Sequence, residues 1–187
     1  HLYVARSLNS LASLNEIQGS FAEAETHYKR SLSIHEKVLG PDHPLVALSL
    51  NNLAHHYIIQ ERFEEAEQLN QRSLAIREKV FGTDHPDVAT SVNNLAIIYT
   101  KQGLYADAEP LYKRSLKIRE KILGTEHPDV TTTLNNLGLL YFNQSRYSEA
   151  EPIYKRSCNH LAIFLGSPRR RASSDFSKKR LTVKAPT

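Results

Sequence analysis

A period of 42 residues runs through the chain and limits what it can fold into more than any other feature. Gly82-Thr-Asp-His85-Pro86-Asp-Val88 returns as Gly124-Thr-Glu-His127-Pro128-Asp-Val130, and Gly40-Pro-Asp-His43-Pro44-Leu-Val46 precedes both. Asn51-Asn52-Leu53 recurs as Asn93-Asn94-Leu95 and as Asn135-Asn136-Leu137, and His1, Val4, Asn9 and Leu11 keep the register of His43, Val46, Asn51 and Leu53. A period in the range of roughly 20 to 50 residues marks a stack of like units, each burying its apolar face against its neighbours. Such arrays mostly bind other proteins, so the period points to a class of function and leaves the partner open.

The third copy shows what one unit is. From Pro86, apolar or small residues fall at Val88, Ala89, Val92, Leu95, Ala96 and Tyr99, the three-and-four spacing of one helical face. Proline suits the first helical turn, where its missing N–H costs nothing. Gly103 interrupts the pattern. A second run follows at Tyr105, Ala108, Leu111, Tyr112, Ser115, Leu116 and Ile118, and ends at Gly124. The spacing predicts a hairpin of two helices with a tight turn. Small residues at Ala12 and Ala24, Ala54 and Ala66, Ala96 and Ala108, and Gly138 and Ala150 leave room for the backbones to approach.

The order Leu95, Ala96, Tyr99, Gly103, Tyr105, Ala108, Tyr112 resembles the tetratricopeptide signature. The usual period of that repeat is about 34 residues. The 42-residue spacing, with Tyr105-Ala-Asp-Ala-Glu-Pro-Leu-Tyr-Lys-Arg-Ser-Leu-Lys-Ile-Arg-Glu-Lys121 in the lengthened second helix, is similar to the kinesin light chain and nephrocystin-like variety. The resemblance covers residues 1–166 and implies an all-α superhelix of about four hairpins, with repeats at 1–40, 41–82, 83–124 and 125–166 and a tail at 167–187.

The resemblance also implies that the first helices line a concave groove. One row of groove positions is then Asn9, Asn51, Asn93 and Asn135; a second is Ser13, His55, Ile97 and Leu139; a third is Glu16, Ile58, Thr100 and Phe142. Ile17, Ile59, Lys101 and Asn143 lie beside them. An amide carries both donor and acceptor, so a ladder of asparagines can pair with the backbone of an extended peptide, or it can stitch neighbouring helices. Ile58, Ile59, Ile97, Leu139 and Phe142 form an apolar strip, which reads either as an interface or as a surface covered by the chain itself. Formal charges in the groove are few, and no lysine–asparagine clamp for a terminal carboxylate stands out.

Several residues look chemical and read as structural. His43, His85 and His127 recur once per unit in the turns, too far apart to share a metal. His55 and His56 are adjacent and point different ways, unlike the i,i+4 pairs that hold zinc. Glu25, Glu67, Glu109 and Glu151 with Arg30, Arg72, Arg114 and Arg156 read as solvated ion pairs on the second helices. No cofactor, metal or catalytic residue is expected, and no enzyme. The fourth copy departs at Cys158-Asn-His-Leu-Ala-Ile-Phe-Leu165, losing the charged face, so self-association through this apolar last helix is one expectation. Cys158 stands where Leu32, Leu74 and Leu116 stand and reads as a buried filler.

The tail holds seven of the 24 basic side chains and one of the 20 acidic ones, which leaves the repeats mildly acidic. A nucleic-acid interface on the repeats would need a basic face, and the sequence offers none. The tail reads as disordered, with Arg170-Arg171-Ala172-Ser173 resembling a kinase site at Ser173 and basic clusters that could address a nucleus or an anionic surface. No membrane span or signal peptide is visible, and a single cysteine fits a reducing, cytoplasmic setting. The first residue is histidine and methionine is absent, so a slice of a longer protein is expected. Two functions fit: a non-catalytic scaffold that holds a peptide of a partner protein in its groove, as an adaptor resembling kinesin light chain, or the sensor arm of a larger signalling NTPase or protease.

Overall fold

A computed structural model describes residues 1–164, which form eight helices in four hairpins, with no strand among the described residues. They run α1 Leu2–Ile17, α2 Phe21–Leu39, α3 Pro44–Ile59, α4 Phe63–Phe81, α5 Pro86–Lys101, α6 Tyr105–Leu123, α7 Pro128–Asn143 and α8 Tyr147–Phe164. The expectations for the tail, Ser173 among them, lie outside the described residues.

Local chemistry sets the ends of these helices. His43, His85 and His127 hold extended backbone, and their Nδ1 atoms accept the amide N–H two residues on at 3.1, 3.1 and 3.2 Å. Each satisfies one of the amides that a helix start leaves orphaned, and proline follows where no N–H is needed. The histidines thus do the turn and cap work expected of them. Inside each hairpin the turn passes through left-handed backbone at Gly19, Glu61, Gly103 and Ser145, with φ of 79°, 59°, 78° and 59°. Glycine adopts this freely, whereas Glu61 and Ser145 carry a steric cost of about 1 kcal/mol.

Packing within a hairpin rests on the small residues. Ala12, Ala24, Ala54, Ala66, Ala96 and Ala108 are buried, and Leu95 beside them is 5% exposed. At Gly138, which stands in place of alanine in the fourth hairpin, the Tyr154 ring lies 2.8 Å from where a Cβ would be. A serine then ties the two helices together: Ser31, Ser73 and Ser115 each donate to a first-helix carbonyl, of Ala5, Ala47 and Ala89, at 2.8 Å. A buried hydrogen bond of this kind contributes about 1 kcal/mol.

Between hairpins, successive first helices touch, whereas no second helix meets the next at backbone distance. The first helices therefore lie on the inside of the curve and the second helices fan out behind. Long ion pairs span that back: Arg72–Glu36 at 2.7 Å, Arg114–Glu78 at 2.6 Å, and Arg156–Glu120. This corrects the pairing read from the sequence. A separation of five residues puts Glu67 and Arg72 on different sides of α4, so Arg72, Arg114 and Arg156 each hold a glutamate of the preceding hairpin instead, and Arg30 has no ion-pair partner among the described residues.

Cys158 also departs from expectation, because it is exposed. Its counterparts Leu32 and Leu74 are half-buried against the core of the hairpin that follows them. No described hairpin follows α8, so the same position faces outward there.

Candidate functional site

The concave face is built from the exposed sides of α3, α5 and α7 together with α1. His55, Lys101, Asn135, Leu139 and Phe142 are exposed on it, and Asn9, Ile58, Ile97 and Thr100 are half-buried. Ile58 and Ile97 rest against the hydrophobic core, so the exposed apolar surface belongs to Leu45, Leu48, Ile59, Leu139 and Phe142, between 37% and 53% exposed. Leu45 and Leu48 were missed in the sequence because other copies carry Asp87 and Thr90, or Asp129 and Thr132, at these places. Phe142 meets Tyr147 edge-on at 5.5 Å, which fixes its ring at the mouth of the last hairpin.

The two middle members of the asparagine row sit deeper than the rest. Asn51 and Asn93 are 6% and 4% exposed. Asn136 donates to Asn93 Oδ1 at 3.3 Å across two hairpins, and Asn135 Oδ1 accepts from Ser157 at 2.5 Å. Stitching is thus part of the role of this row. The Oδ1 atoms of Asn9 and Asn51 are buried and accept no hydrogen bond among the described residues. A buried acceptor without a donor costs about 1–3 kcal/mol.

Beneath this face run the groups that lock one hairpin to the next. Arg77 reaches from α4 to the Asp87 carbonyl and Ser91 Oγ, both at 2.9 Å, and Arg119 reaches from α6 to the Asp129 carbonyl at 2.9 Å and Thr133 Oγ1 at 2.7 Å. Burial pulls both guanidinium pKa values down, against the pull of Asp87 and Asp129. His35 holds the same position in the first hairpin, and its imidazole stops at Ser49 Oγ, 2.7 Å away. Beside this shorter side chain lies a cavity of about 380 Å³ lined by Leu2, Tyr3, Arg6, Asn9, His35, Leu45 and Leu48. The sequence reading passed over these buried cations, although their recurrence at 42 residues on an otherwise apolar seam was a usable signal.

A second clasp sits further along each seam. Tyr57, Tyr99 and Tyr141 donate to Glu25, Glu67 and Glu109 of the preceding hairpin at 2.9, 2.8 and 3.0 Å. Arg62 and Arg146 join Glu25 and Glu109 at 2.8 and 2.7 Å while lying over the Tyr57 and Tyr141 rings. Burial opposes ionisation of Glu25, yet hydrogen bonds from Lys29, Tyr57 and Arg62 prevail and hold its pKa at about 2. Arg146, with Lys113 and Tyr141, brings Glu109 to about 2 as well. These carboxylates are locked structural anions, not poised acids.

His56 is fully buried among the rings of Phe21, Tyr28 and Tyr57, with Nδ1 2.7 Å from Glu16 and Nε2 2.5 Å from Gln60. Its neighbour His55 faces the groove. Among the described residues no three His, Cys, Asp or Glu side chains converge as a metal would require, and no helix is long and apolar enough to cross a membrane.

The tetratricopeptide repeat family matches the chain three times in overlapping register, over residues 3–79, 45–121 and 87–162. Among solved structures, BtubC (BKLC) from P. vanneervenii is similar over 97% of this chain and 71% of its own, at 26% identity and a TM-score of 0.75. A kinesin light chain-like protein of Podosopora anserina, with nearly identical repeats, aligns with 86% of this chain and 76% of its own, at 26% identity and a TM-score of 0.67. The apo form of RapI shares the fold, at 18% identity and a TM-score of 0.75, over 89% of this chain and 58% of its own. No curated protein matches the sequence.

Proposed function

Because the chain belongs to the tetratricopeptide repeat family, we propose that it is a non-catalytic, cytoplasmic adaptor whose concave face holds an extended segment of a partner protein. The observation that carries this reading is the cavity beside His35, which opens onto the inner face and joins apolar walls at Tyr3, Leu45 and Leu48 to polar groups at Arg6 and Asn9. Concave, mostly apolar sites with a few placed polar groups are where ligands bind. A large apolar side chain of the segment seats in this cavity. Leu139 and Phe142 take a second one further along, with His55, Ile58, Ile97, Thr100 and Lys101 between. The amides of Asn9, Asn51, Asn93 and Asn135 form the floor, and a ligand N–H supplies the donor that Asn9 and Asn51 lack. The likeness to kinesin light chain-like structures at 26% identity supports an adaptor role.

The test is selection from a displayed random-peptide library with the intact chain, in parallel with Leu48→Asp/Leu139→Asp and with the back-face variant Lys113→Ala. All three positions are exposed, so circular dichroism should be unchanged. The reading predicts peptides with two spaced apolar residues, retained by Lys113→Ala and lost at least tenfold by the groove variant. Selection indifferent to Leu48 and Leu139 would move the interface off the concave face.

A further inference from the structure

Of the three seams between hairpins, the middle one keeps the acceptors of its clasp and lacks the cations. In the outer two, Glu25 is held by Lys29 at 2.6 Å and Arg62 at 2.8 Å, and Glu109 by Lys113 at 2.5 Å and Arg146 at 2.7 Å. The arginine donates to the glutamate Oε2 in both. In the middle seam Gln71 stands in place of the lysine and Leu104 in place of the arginine. Glu67 Oε1 accepts from Tyr99 Oη and from Gln71 Nε2, each at 2.8 Å. Its Oε2 accepts no hydrogen bond, and this half-buried carboxylate has no ion-pair partner among the described residues.

Three further groups that serve an arginine elsewhere are open here. Arg62 and Arg146 also pair with Glu65 and Glu149, whose place is taken by Asp107, exposed and without an ion pair among the described residues. Gln144 Oε1 accepts from Arg146 at 2.7 Å, whereas Gln102 Oε1, one period earlier, is buried and accepts nothing among the described residues. The Tyr57 and Tyr141 rings lie under their guanidinium groups and are 5% exposed, whereas the Tyr99 ring is only half-buried. Burial pushes the Tyr99 pKa up, and so do its hydrogen bond to Glu67 and the charges of Glu67 and Asp107, against Gln71 alone. Lys101, close by in sequence, is exposed and pairs with neither carboxylate.

We propose that Glu67, Tyr99, Gln102, Leu104 and Asp107 form a binding site for an arginine side chain presented by a partner protein. Its guanidinium takes Glu67 Oε2, Asp107 and Gln102 Oε1 and lies over the Tyr99 ring, as Arg62 and Arg146 lie over theirs. Its methylene stem rests on Leu104, which is 46% exposed. Arginine fits better than lysine because three acceptors around one flat ring match a planar fork of donors, whereas an ammonium is a point charge. A half-buried carboxylate gains from a charge-assisted hydrogen bond that water replaces poorly. Gln102 also borders a cavity of about 200 Å³ that carries Glu61 and Glu64, which have no ion-pair partner among the described residues, so the approach favours a cation. The site lies by the hairpin turns, and none of its residues lines the cavity beside His35.

The experiment titrates the full chain with a capped glycine peptide that bears one central arginine. The side-chain amide resonance of Gln102 and the backbone amides of residues 104–107 report binding at this place. The proposal predicts a saturable shift of these resonances, with the lysine version of the peptide binding about fivefold more weakly or worse. Glu67→Gln, which keeps an acceptor for Tyr99 and removes the charge, weakens the arginine peptide by about tenfold. Leu104→Arg supplies the guanidinium from within and abolishes the shift, whereas Leu104→Met, apolar and of similar bulk, retains it. Position 104 is exposed, so both variants fold. Resonances that do not move, a shift that survives Leu104→Arg, or equal binding of the lysine peptide would overturn the proposal.

Discussion

The first and third hairpins place similar residues at the same positions of the period, and the two regions use them differently. Leu95 is 5% exposed where Leu11 is 41%. Arg114 is paired to Glu78 where Arg30 is unpaired among the described residues. Arg119 spans the seam to α7 where His35 stops at Ser49. In a stacked array a residue's role is decided by what lies on either side of its hairpin, more than by its own type. At the first seam the shorter side chain of His35 stands beside a cavity of about 380 Å³.

The largest way to break this comparison is a leucine truncation in each hairpin. Leu95→Ala should cost about 2–5 kcal/mol and Leu11→Ala about 1 kcal/mol or less, read from urea unfolding. Near-equal losses would mean that exposure does not distinguish the two ends. Next comes the seam. Arg119→Ala removes two short hydrogen bonds from a charged group and should cost about 2 kcal/mol, whereas His35→Ala removes one and should cost about 1 kcal/mol.

Acid sharpens the comparison at the outer clasp. Glu25 and Glu109 have folded pKa values of about 2, below the ordinary value of 4.5. Depressed carboxylates stabilise the fold above about pH 4.5, and that contribution drains away as pH falls from 4.5 toward 2. Arg146→Ala should flatten this part of the stability–pH curve; an unchanged slope would mean that the clasp is idle. Leu104 stands where Arg62 and Arg146 stand, so Leu104→Arg should build the missing third clasp with Glu67 and add up to about 1 kcal/mol. The smallest effect is expected at the turns. Glu61→Gly relieves left-handed backbone and should stabilise by about 0.5–1 kcal/mol, while Gly103→Ala should destabilise by a similar amount.

The hairpins and the structural role of the turn histidines were legible because each rests on local signals that repeat: His-Pro at a start, a small residue at each close approach, and a three-and-four apolar spacing. The groove was legible as a face and not in its depth. Whether Asn51 lies on the surface or in the seam depends on the crossing of α3 with its neighbours, which no local pattern encodes. Arg77 and Arg119 looked like the solvated charges around them, and only their burial against α5 and α7 distinguishes them. Cys158 was misread for a related reason, since the leucines at its position are covered by a neighbour that α8 does not have among the described residues.

The most direct test of the account is His35→Arg, measured for thermal stability and for affinity toward peptides selected on the parent chain. Arginine is native to this position in the next two hairpins, so the variant should fold, gain stability by reaching the Leu45 carbonyl as well as Ser49, as Arg77 reaches the Asp87 carbonyl as well as Ser91, and lose peptide affinity at least tenfold as the cavity fills. A variant that is more stable yet binds with unchanged affinity would contradict the assignment of the ligand's anchor to the cavity beside His35.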